Sequence, residues 1–219
     1  MKRIILASAS PRRKELMEQL GLQFDIEPSY CHEYIDGQHE PLELAKLLSL
    51  HKAKTVGNKN TGAIIIAADT FVVLGKRIIG KPNSLAEAKE ILTRLKGKPH
   101  SVITGFTVMD TINGKIVSQS VETRVYVKDL SIEEIDSYVE TKEPMGKAGA
   151  YAIQGLGAAI IDRIEGDYFN VMGFPVDAIV NALKKFGIFT VNLEHPDIVI
   201  NRKNEAKKQH PKGYIEHSA

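Results

Sequence analysis

Residues 8–13 read SASPRR, which predicts the start of a helix beside two cationic side chains. Ser10 is a preferred N-cap residue, and the proline after it suits a first helical turn. A helix N-terminus carries about half a positive charge, so Arg12 and Arg13 are unfavourable there unless an anion binds. The first-turn N–H groups, both guanidinium groups and the hydroxyls of Ser8 and Ser10 therefore predict a phosphate site; two solvated arginines are the simpler alternative.

Asp69 follows residues 63–68, an apolar and isoleucine-rich run that is typical of a buried central strand. In open α/β sheets, ligands bind at the carboxyl ends of such strands. This position predicts that the Asp69 carboxylate either activates a water molecule as a general base or holds a divalent cation, and the sequence leaves both roles open. A turn or cap residue is the alternative without chemistry.

Two lysines are candidates for the same cleft. Lys81 lies between a glycine and a proline, in a tight loop a short distance after Asp69, and Lys52 precedes the central strand. Several converging cations are the expected means of binding a triphosphate and of stabilising a departing pyrophosphate. Taken singly, each lysine is explained as well by a solvated surface position.

Residues 147–157 are rich in small side chains, which let the backbone approach a ligand closely. Gln154 in this stretch could read the edge of a base through its amide, or satisfy nearby backbone groups instead. The sequence has no GxxxxGK[ST] loop, no GxGxxG between a strand and a helix, no HExxH pair and no GxSxG elbow. Cys31 is the single cysteine, so neither an internal disulfide nor a thiol nucleophile is expected.

The elements that must position these residues follow from hydrophobic periodicity and turn signals. We expect strands at residues 4–7, 63–68, 71–74, 77–79, 102–110, 115–128, 151–153 and 158–164, with hairpin turns at residues 75–76 and 113–114. Helices are expected at residues 11–20, 41–56, 84–97, 131–140 and 175–187, two of them opening with capping-box patterns.

In the second of these helices, we expect an apolar face that excludes the lysines. The face is formed by Leu44, Ala45, Leu47 and Leu48, whereas Lys46, Lys52 and Lys54 lie off it.

The mixture of helices and hairpins predicts an α/β fold with a mixed sheet flanked by helices, and argues against a Rossmann fold or a barrel. A chain of 219 residues suits one compact unit. We predict one domain over residues 1–187 and a polar, basic extension over residues 188–219.

Charge and hydropathy limit the partners that we expect. Residues 4–9 are apolar, but Pro11, Arg12 and Arg13 interrupt them before the roughly 7–15 apolar residues of a secretory signal are reached. The net charge of +2 does not favour nucleic-acid binding. We therefore expect a cytoplasmic protein with no membrane segment, and a homodimer is left open.

Five separated segments resemble, in this order and spacing, the Maf family of nucleotide pyrophosphatases. They are residues 6–13 (LASASPRR), 68–70 (ADT), 80–82 (GKP), 147–151 (KAGAY) and 154–155 (QG). The resemblance extends from Lys2 to about Gly187. It implies an elongated, two-lobed fold like that of the ITP pyrophosphatases, with a central cleft. It also implies hydrolysis of a nucleoside triphosphate to the monophosphate and pyrophosphate, with Mg²⁺ or Mn²⁺.

The resemblance also implies roles for individual residues. Asp69 matches the proton acceptor, with Lys81 as a second catalytic residue, and Asp69 with Glu33 matches the acidic positions that serve the metal. The positions that match substrate-binding residues are Ser8, Ser10, Arg12, Arg13, Lys52, Thr70 and Gln154.

The resemblance favours one branch of the family, which acts on dTTP and UTP. Arg12, Thr70 and Gln154 match that branch, which differs at these positions from the branch that acts on 7-methyl-GTP. One position departs from the pattern, because Gly146 stands where relatives usually carry aspartate. The alternative function is a regulator of cell division that senses nucleotides or binds nucleic acid without turnover.

Overall fold

The computed structural model describes residues 2–29 and 39–190, which form a mixed seven-stranded sheet with helices packed against it. The predicted fold class is confirmed. The strands are β1 (Arg3–Leu6), β2 (Asp25–Ile26), β3 (Ala63–Leu74), β4 (Arg77–Ile79), β5 (Pro99–Asp110), β6 (Ile116–Val127) and β7 (Ile161–Glu165). The helices are α1 (Pro11–Gln19), α2 (Pro41–Gly57), α3 (Leu85–Leu95), α4 (Ile132–Glu140), α5 (Tyr168–Val171) and α6 (Val176–Lys184).

Strand β3 lies at the centre of the sheet, whose order is β2-β1-β3-β5-β6-β7, with β4 also paired to β3. Strand β1 runs parallel to β3 and pairs with it as far as Ile66, and β4 pairs antiparallel with it from Val72 onward. Between these two pairings, residues 67–71 of β3 are hydrogen-bonded in register only to β5 among the described strands. The backbone of β3 is therefore open to other groups along this short stretch.

The prediction that the central strand ends at Asp69 is wrong, because β3 continues to Leu74. Asp69 lies opposite Gly105 of β5, and the pairing continues to Val73 opposite Ser101. The continuous antiparallel partner keeps the backbone extended past the polar residues at which the apolar run stops. The hairpin turn predicted at residues 75–76 is confirmed, with Leu74 opposite Arg77.

Helix α2 packs against β3 and β5 through a face that contains Leu44, Ala45 and Leu48. Two expectations for this helix are wrong. Leu47 is 38% exposed, and Lys52 is buried although we expect it off the apolar face. Burial of the Lys52 ammonium is tolerated because an acidic partner on β3 compensates for its lost hydration.

The predicted caps and the long hairpin are confirmed with one change. The hydroxyl of Ser131 accepts a hydrogen bond from the N–H of Glu134, and the Glu134 carboxylate accepts one from the N–H of Ser131, which completes a capping box. At α3, Ser84 caps the helix, but the Glu87 carboxylate accepts from the N–H of Asn83 instead of Ser84. Strands β5 and β6 pair over eleven positions and form the predicted hairpin.

The segment after α4 differs most from our expectations. Residues 151–153 are not a strand, and the strand expected at residues 158–164 begins only at Ile161, after a 3₁₀ turn at Gly155–Ile160. A second 3₁₀ turn spans Ala148–Ala150. Positive φ angles at Gly149 and Gly155 bend the chain where apolar residues alone suggest extended backbone. Helix α5 is not predicted by the sequence, and α6 is shorter than the expected helix at residues 175–187.

Two main groups of buried apolar side chains hold these elements together. One packs α1 and α6 against β1, β3 and β5, and the other packs α3 and α4 against the far ends of β3, β5 and β6. Among the helices in the described ranges, none is long and apolar enough to cross a membrane.

Candidate active site

A cleft of about 610 Å³ lies beyond the end of β1, where β3 has its open stretch. It brings together most of the residues that the sequence singles out, although they are far apart in the chain. Those predicted residues are Ser8, Ser10, Arg12, Arg13, Lys52, Asp69, Thr70 and Lys81. Other lining residues come from the loop after α4, from Met145 to Ala148, and from residues 171–173.

Asp69 and Lys52 form an ion pair at the wall of the cleft. Asp69 is 5% exposed and lies on β3, and Lys52 is 9% exposed and lies on α2. Asp69 faces the cleft from strand β3, and the side chain of Lys52 reaches the same wall from helix α2. An ammonium held beside a carboxylate in this way fixes the orientation of the carboxylate, as a general base requires.

The guanidinium of Arg13 is held by the protein itself. Its Nε donates to the carbonyl oxygen of Gly173 at 2.8 Å, and one terminal nitrogen donates to the carbonyl oxygen of Ala68 at 2.8 Å and the hydroxyl of Ser8 at 3.1 Å. The other terminal nitrogen donates to the hydroxyl of Thr70 at 3.0 Å. Arg13 thus joins the N-terminal loop to the open stretch of β3 and to the loop before α6.

Arg12 is next to Arg13 in sequence, but its environment is different. Within the described ranges, its guanidinium has no hydrogen bond and no ion pair. Burial lowers the pKa of Arg12 below its ordinary value, which indicates that solvent reaches the group incompletely. A partly desolvated cation that lines a cleft is suited to bind an anionic group of a ligand.

Lys147 faces the same part of the cleft. Its ammonium donates to the backbone carbonyl oxygen of Glu143. Burial lowers the pKa of Lys147, and the positive charge of Arg12 lowers it further. Two cations that repel each other across a cleft are stabilised when an anion lies between them. In the sequence, Lys147 stands out only as part of the KAGAY segment, and the signal that could have identified it is a lysine directly before small residues.

Lys81 stands at the rim of the cleft and is exposed. The residue before it, Gly80, accepts a hydrogen bond of 3.0 Å from the N–H of Gly149. This contact ties the loop after β4 to the 3₁₀ turn that follows Lys147. The two lysines therefore come from neighbouring loops at one side of the cleft.

The N-terminus of α1 opens into the cleft as predicted. Ser10 occupies the N-cap position, but its side chain forms no cap hydrogen bond within the described ranges. The hydroxyl of Ser8 accepts a hydrogen bond of 3.2 Å from the N–H of Ser10. The first-turn N–H groups of α1 therefore have no side-chain cap, and an anion can bind there.

Two predicted site residues lie elsewhere or outside the described residues. Gln154 is exposed and does not line the cleft, although it lies three residues after Tyr151, which does. Glu33 and Cys31 lie outside the described residues. Gly146 lines the cleft with a φ of 73°, and the space next to its Cα is open.

The acidic donors for a metal ion are few. Among the described lining residues Asp69 is the one carboxylate, and the described ranges contain no cluster of three or more His, Cys, Asp or Glu side chains. Mg²⁺ is commonly held by one or two carboxylates together with substrate phosphates and water. The donor set fits a cation that is shared with a phosphorylated substrate.

Behind the cleft, His100 and Tyr151 form a buried pair. Nε2 of His100 is 2.7 Å from the hydroxyl oxygen of Tyr151, and the rings meet edge to face. Nδ1 of His100 has no hydrogen-bond partner among the described atoms. Burial lowers the pKa of His100 to about 4, so the imidazole is neutral at pH 7.

Taken together, the lining side chains make the cleft strongly cationic. Its described charged residues are one carboxylate, Asp69, and five cations, which are Arg12, Arg13, Lys52, Lys81 and Lys147. Such a cleft can accept a polyphosphate and present one carboxylate to a water molecule beside it.

Comparison with solved structures finds likeness at low sequence identity. A HAM1 protein from Coxiella burnetii is 17% identical, with a TM-score of 0.48 over 84% of this chain and all of that one. The Ham1 protein of Staphylococcus aureus is 15% identical, with a TM-score of 0.46 over 84% of this chain and 97% of that one.

Sequence relatives are much more similar. A dTTP/UTP pyrophosphatase from Alkaliphilus oremlandii is 48% identical over 194 residues, which are 88% of this chain and all of the relative. A dTTP/UTP pyrophosphatase from Bacillus cereus (strain ATCC 10987) is 45% identical over 188 residues, which are 86% of this chain and 92% of the relative. The family described as Maf-like protein matches residues 3–186, a range that includes every described residue of the cleft. The chain therefore belongs to the Maf family.

Proposed function

We propose that this protein is a nucleoside triphosphate pyrophosphatase that hydrolyses dTTP and UTP to the monophosphate and pyrophosphate. The observation that carries the proposal is the convergence of five cations around the one described carboxylate of the cleft, Asp69. The relatives at 45–48% identity, which match most of the chain, are themselves dTTP/UTP pyrophosphatases. The purpose would be the removal of excess or non-standard nucleotides from the pool.

In the proposed reaction, water attacks the α-phosphorus in line with the bond to the β-phosphate. Asp69 orients the water and accepts its proton, the new P–O bond forms, and the bond from the α-phosphorus to the bridging oxygen breaks. Pyrophosphate leaves with the bridging oxygen. Lys52 holds the Asp69 carboxylate in position before attack.

The cations of the cleft are proposed to bind the phosphate groups that leave as pyrophosphate. Arg12 and Lys147, which both line the cleft and whose positive charges interact, are proposed to bind the β- and γ-phosphates, and Lys81 is proposed to reach them from the rim. These groups stabilise pyrophosphate as negative charge develops on it. The proposed role of Arg13 is different, because its hydrogen bonds hold the walls of the cleft together.

We propose that a divalent cation, Mg²⁺ or Mn²⁺, assists the reaction, with Asp69 as its described protein ligand and Glu33 as a further candidate. When bound, such an ion neutralises phosphate charge and polarises the phosphoryl group. Because Asp69 is the one carboxylate among the described lining residues, we propose that the ion binds together with the nucleotide, whose phosphates supply further ligands.

The pyrimidine preference is proposed from the relatives and from three positions. Arg12 and Thr70 line the cleft, and Gln154 lies in the loop that continues from it. An amide can pair with the edge of uracil or thymine through one donor and one acceptor. We also propose that the protein acts in the cytoplasm, because nucleoside triphosphates are its proposed substrates.

Purified protein incubated with dTTP, UTP, CTP, ATP or GTP, with Mg²⁺ or Mn²⁺ and with neither, tests the proposal. Chromatography of the products should detect monophosphate and pyrophosphate in equal amounts, fastest with dTTP and UTP and only when a cation is added. Release of orthophosphate would contradict the bond that we propose to break. Binding without turnover of any nucleotide would favour the regulatory alternative.

A further inference from the structure

The carboxylate of Glu143 bridges the two ends of the loop that borders the cleft. Its Oε1 accepts hydrogen bonds from the N–H of Gly157 at 2.8 Å and from the hydroxyl of Tyr138 at 2.9 Å. Its Oε2 accepts a hydrogen bond of 3.0 Å from the N–H of Leu156. One side chain thus fixes residues 156–157, which lie 13 and 14 positions further along the chain, to the end of α4.

Two glycines make this close contact possible. A Cβ atom on Gly155 would lie 2.6 Å from Oε2 of Glu143, and the φ of 66° at Gly155 favours glycine independently. A Cβ atom on Gly157 would lie 2.2 Å from the carbonyl oxygen of Ala152 and 2.6 Å from the hydroxyl oxygen of Tyr138. Glycine at positions 155 and 157 therefore leaves room for Glu143 and Tyr138 to contact the backbone.

The tied loop carries groups that belong to the cleft. Lys147 lines the cleft and donates to the backbone carbonyl oxygen of Glu143, so the same residue holds the loop at two points. Gln154 directly precedes the turn whose N–H groups bind the Glu143 carboxylate. Tyr138 also lies close enough to Arg12 for the positive charge of Arg12 to act on its hydroxyl group, although burial has the larger effect and raises the pKa of Tyr138.

The charge state of Glu143 suits this role. Burial alone would raise the pKa of its carboxyl group, but the hydrogen bonds from Gly157, Leu156 and Tyr138 outweigh burial, and the pKa lies below its ordinary value. An ionised carboxylate accepts all three hydrogen bonds at once, whereas a neutral amide offers a single acceptor oxygen.

We propose that Glu143, together with Tyr138, is a positioning residue for nucleotide binding. Its carboxylate sets the distance between Lys147 and Arg12 and holds Gln154 at the border of the cleft. It therefore controls both affinity for the triphosphate and discrimination between pyrimidine and purine. This inference rests on the proposed function, and Glu143 itself does not touch the substrate.

The variant Glu143→Gln tests the inference, with Glu134→Gln as the matched control. The Glu134 carboxylate likewise accepts a hydrogen bond from a backbone N–H, that of Ser131, but Glu134 is exposed and does not line the cleft. In Glu143→Gln, the KM for dTTP should rise about tenfold, the equivalent of one lost charge-assisted hydrogen bond, with a much smaller change in kcat. The preference for dTTP over GTP should fall, and the amide protons of residues 156–157 should exchange faster. The control should change none of these.

A purely structural role predicts a different pattern: a lower melting temperature and faster amide exchange, with KM and base preference as in the wild type, which would overturn the inference. If Glu143→Gln does not fold, Tyr138→Phe removes one hydrogen bond to the same carboxylate, and a smaller rise in KM is expected. Calorimetric binding of α,β-imido-dUTP keeps the test separate from turnover. A wild type that binds this analogue but hydrolyses nothing would refute the proposed function, while an unchanged dissociation constant in both variants would refute the positioning role.

Discussion

The guanidinium of Arg13 donates a hydrogen bond of 3.0 Å to the hydroxyl of Thr70, across the open stretch of β3. Thr70 in turn is 3.0 Å from the hydroxyl of Thr104, which donates to the backbone carbonyl oxygen of Asn170. A chain of hydrogen bonds therefore runs from α1 through the sheet to α5. Thr70 therefore holds the walls of the cleft together as well as lining it.

The adjacent arginines should respond differently to substitution. Arg13→Ala leaves acceptors on Ala68, Gly173 and Thr70 without their donor, so the free energy of unfolding should fall by on the order of 2 kcal/mol. Arg12→Ala should leave stability within about 0.5 kcal/mol and raise the KM for dTTP. Chemical denaturation and steady-state kinetics on both variants check this. Equal losses of stability would contradict the distinction.

Asp69→Asn should abolish most turnover while nucleotide binding is retained. A positioned general base contributes roughly 10²- to 10⁴-fold to the rate, and the amide cannot accept the proton. Loss of the carboxylate also frees the Lys52 ammonium, so affinity for α,β-imido-dUTP measured without a divalent cation should stay equal or increase. Asp129→Asn, at an exposed position, is the control. A variant that retains a tenth or more of wild-type kcat would exclude Asp69 as the base.

Two glycines provide a test of how α2 packs on the sheet. A Cβ atom on Gly105 would overlap the backbone carbonyl group of Ala45, which cannot move without displacing α2. A Cβ atom on Gly57 would meet the terminal methyl of Met109, a flexible side chain. Gly105→Ala should therefore lower stability by about 1–3 kcal/mol or more, and Gly57→Ala by much less. Thermal unfolding of both variants compares them directly.

His100 should make the stability depend on pH between about 6.5 and 4. Its pKa is about 4 in the folded protein and about 6.5 when unfolded, so in this window the unfolded chain binds a proton that the folded protein does not. Stability therefore falls as the pH falls, by about 2–3 kcal/mol at pH 4.5. Urea denaturation of wild type and His100→Gln at pH 7 and pH 4.5 measures this. The variant should lose less stability than the wild type, and equal losses would contradict burial as the cause.

Local patterns in the sequence predict the parts of the fold that short-range chemistry controls. The hairpin turns at residues 75–76 and 113–114, the cap at Ser131 and the helix that begins at Pro11 depend on neighbouring residues, and all are confirmed. The same patterns fail where a distant partner decides. Strand β3 continues through Asp69 because β5 pairs with it, and the pairing partner is 36 positions away in the register.

The sequence predicts most of the charged residues of the cleft, but not the different contacts that each of them makes. Residue types and order place Arg12 and Arg13 together in the predicted phosphate site, yet only the fold distinguishes the arginine that is held by four protein acceptors from the one that lacks a partner within the described ranges. Helical periodicity predicts a solvated Lys52, because the sequence does not show that Asp69 on β3 is its partner. The contacts of Lys147 and Glu143 could not be predicted from the sequence. They depend on where the loop turns, and positive φ angles at its glycines determine this.

Hydrolysis of dTTP in ¹⁸O-labelled water tests the central proposal most directly. Attack of water on the α-phosphorus should place one ¹⁸O atom in dTMP and none in pyrophosphate, as read by mass spectrometry of the separated products after a single turnover. Label in pyrophosphate with unlabelled dTMP would mean that water attacks the β-phosphorus. That result would contradict the assignment of Asp69 as the group that directs water to the α-phosphate.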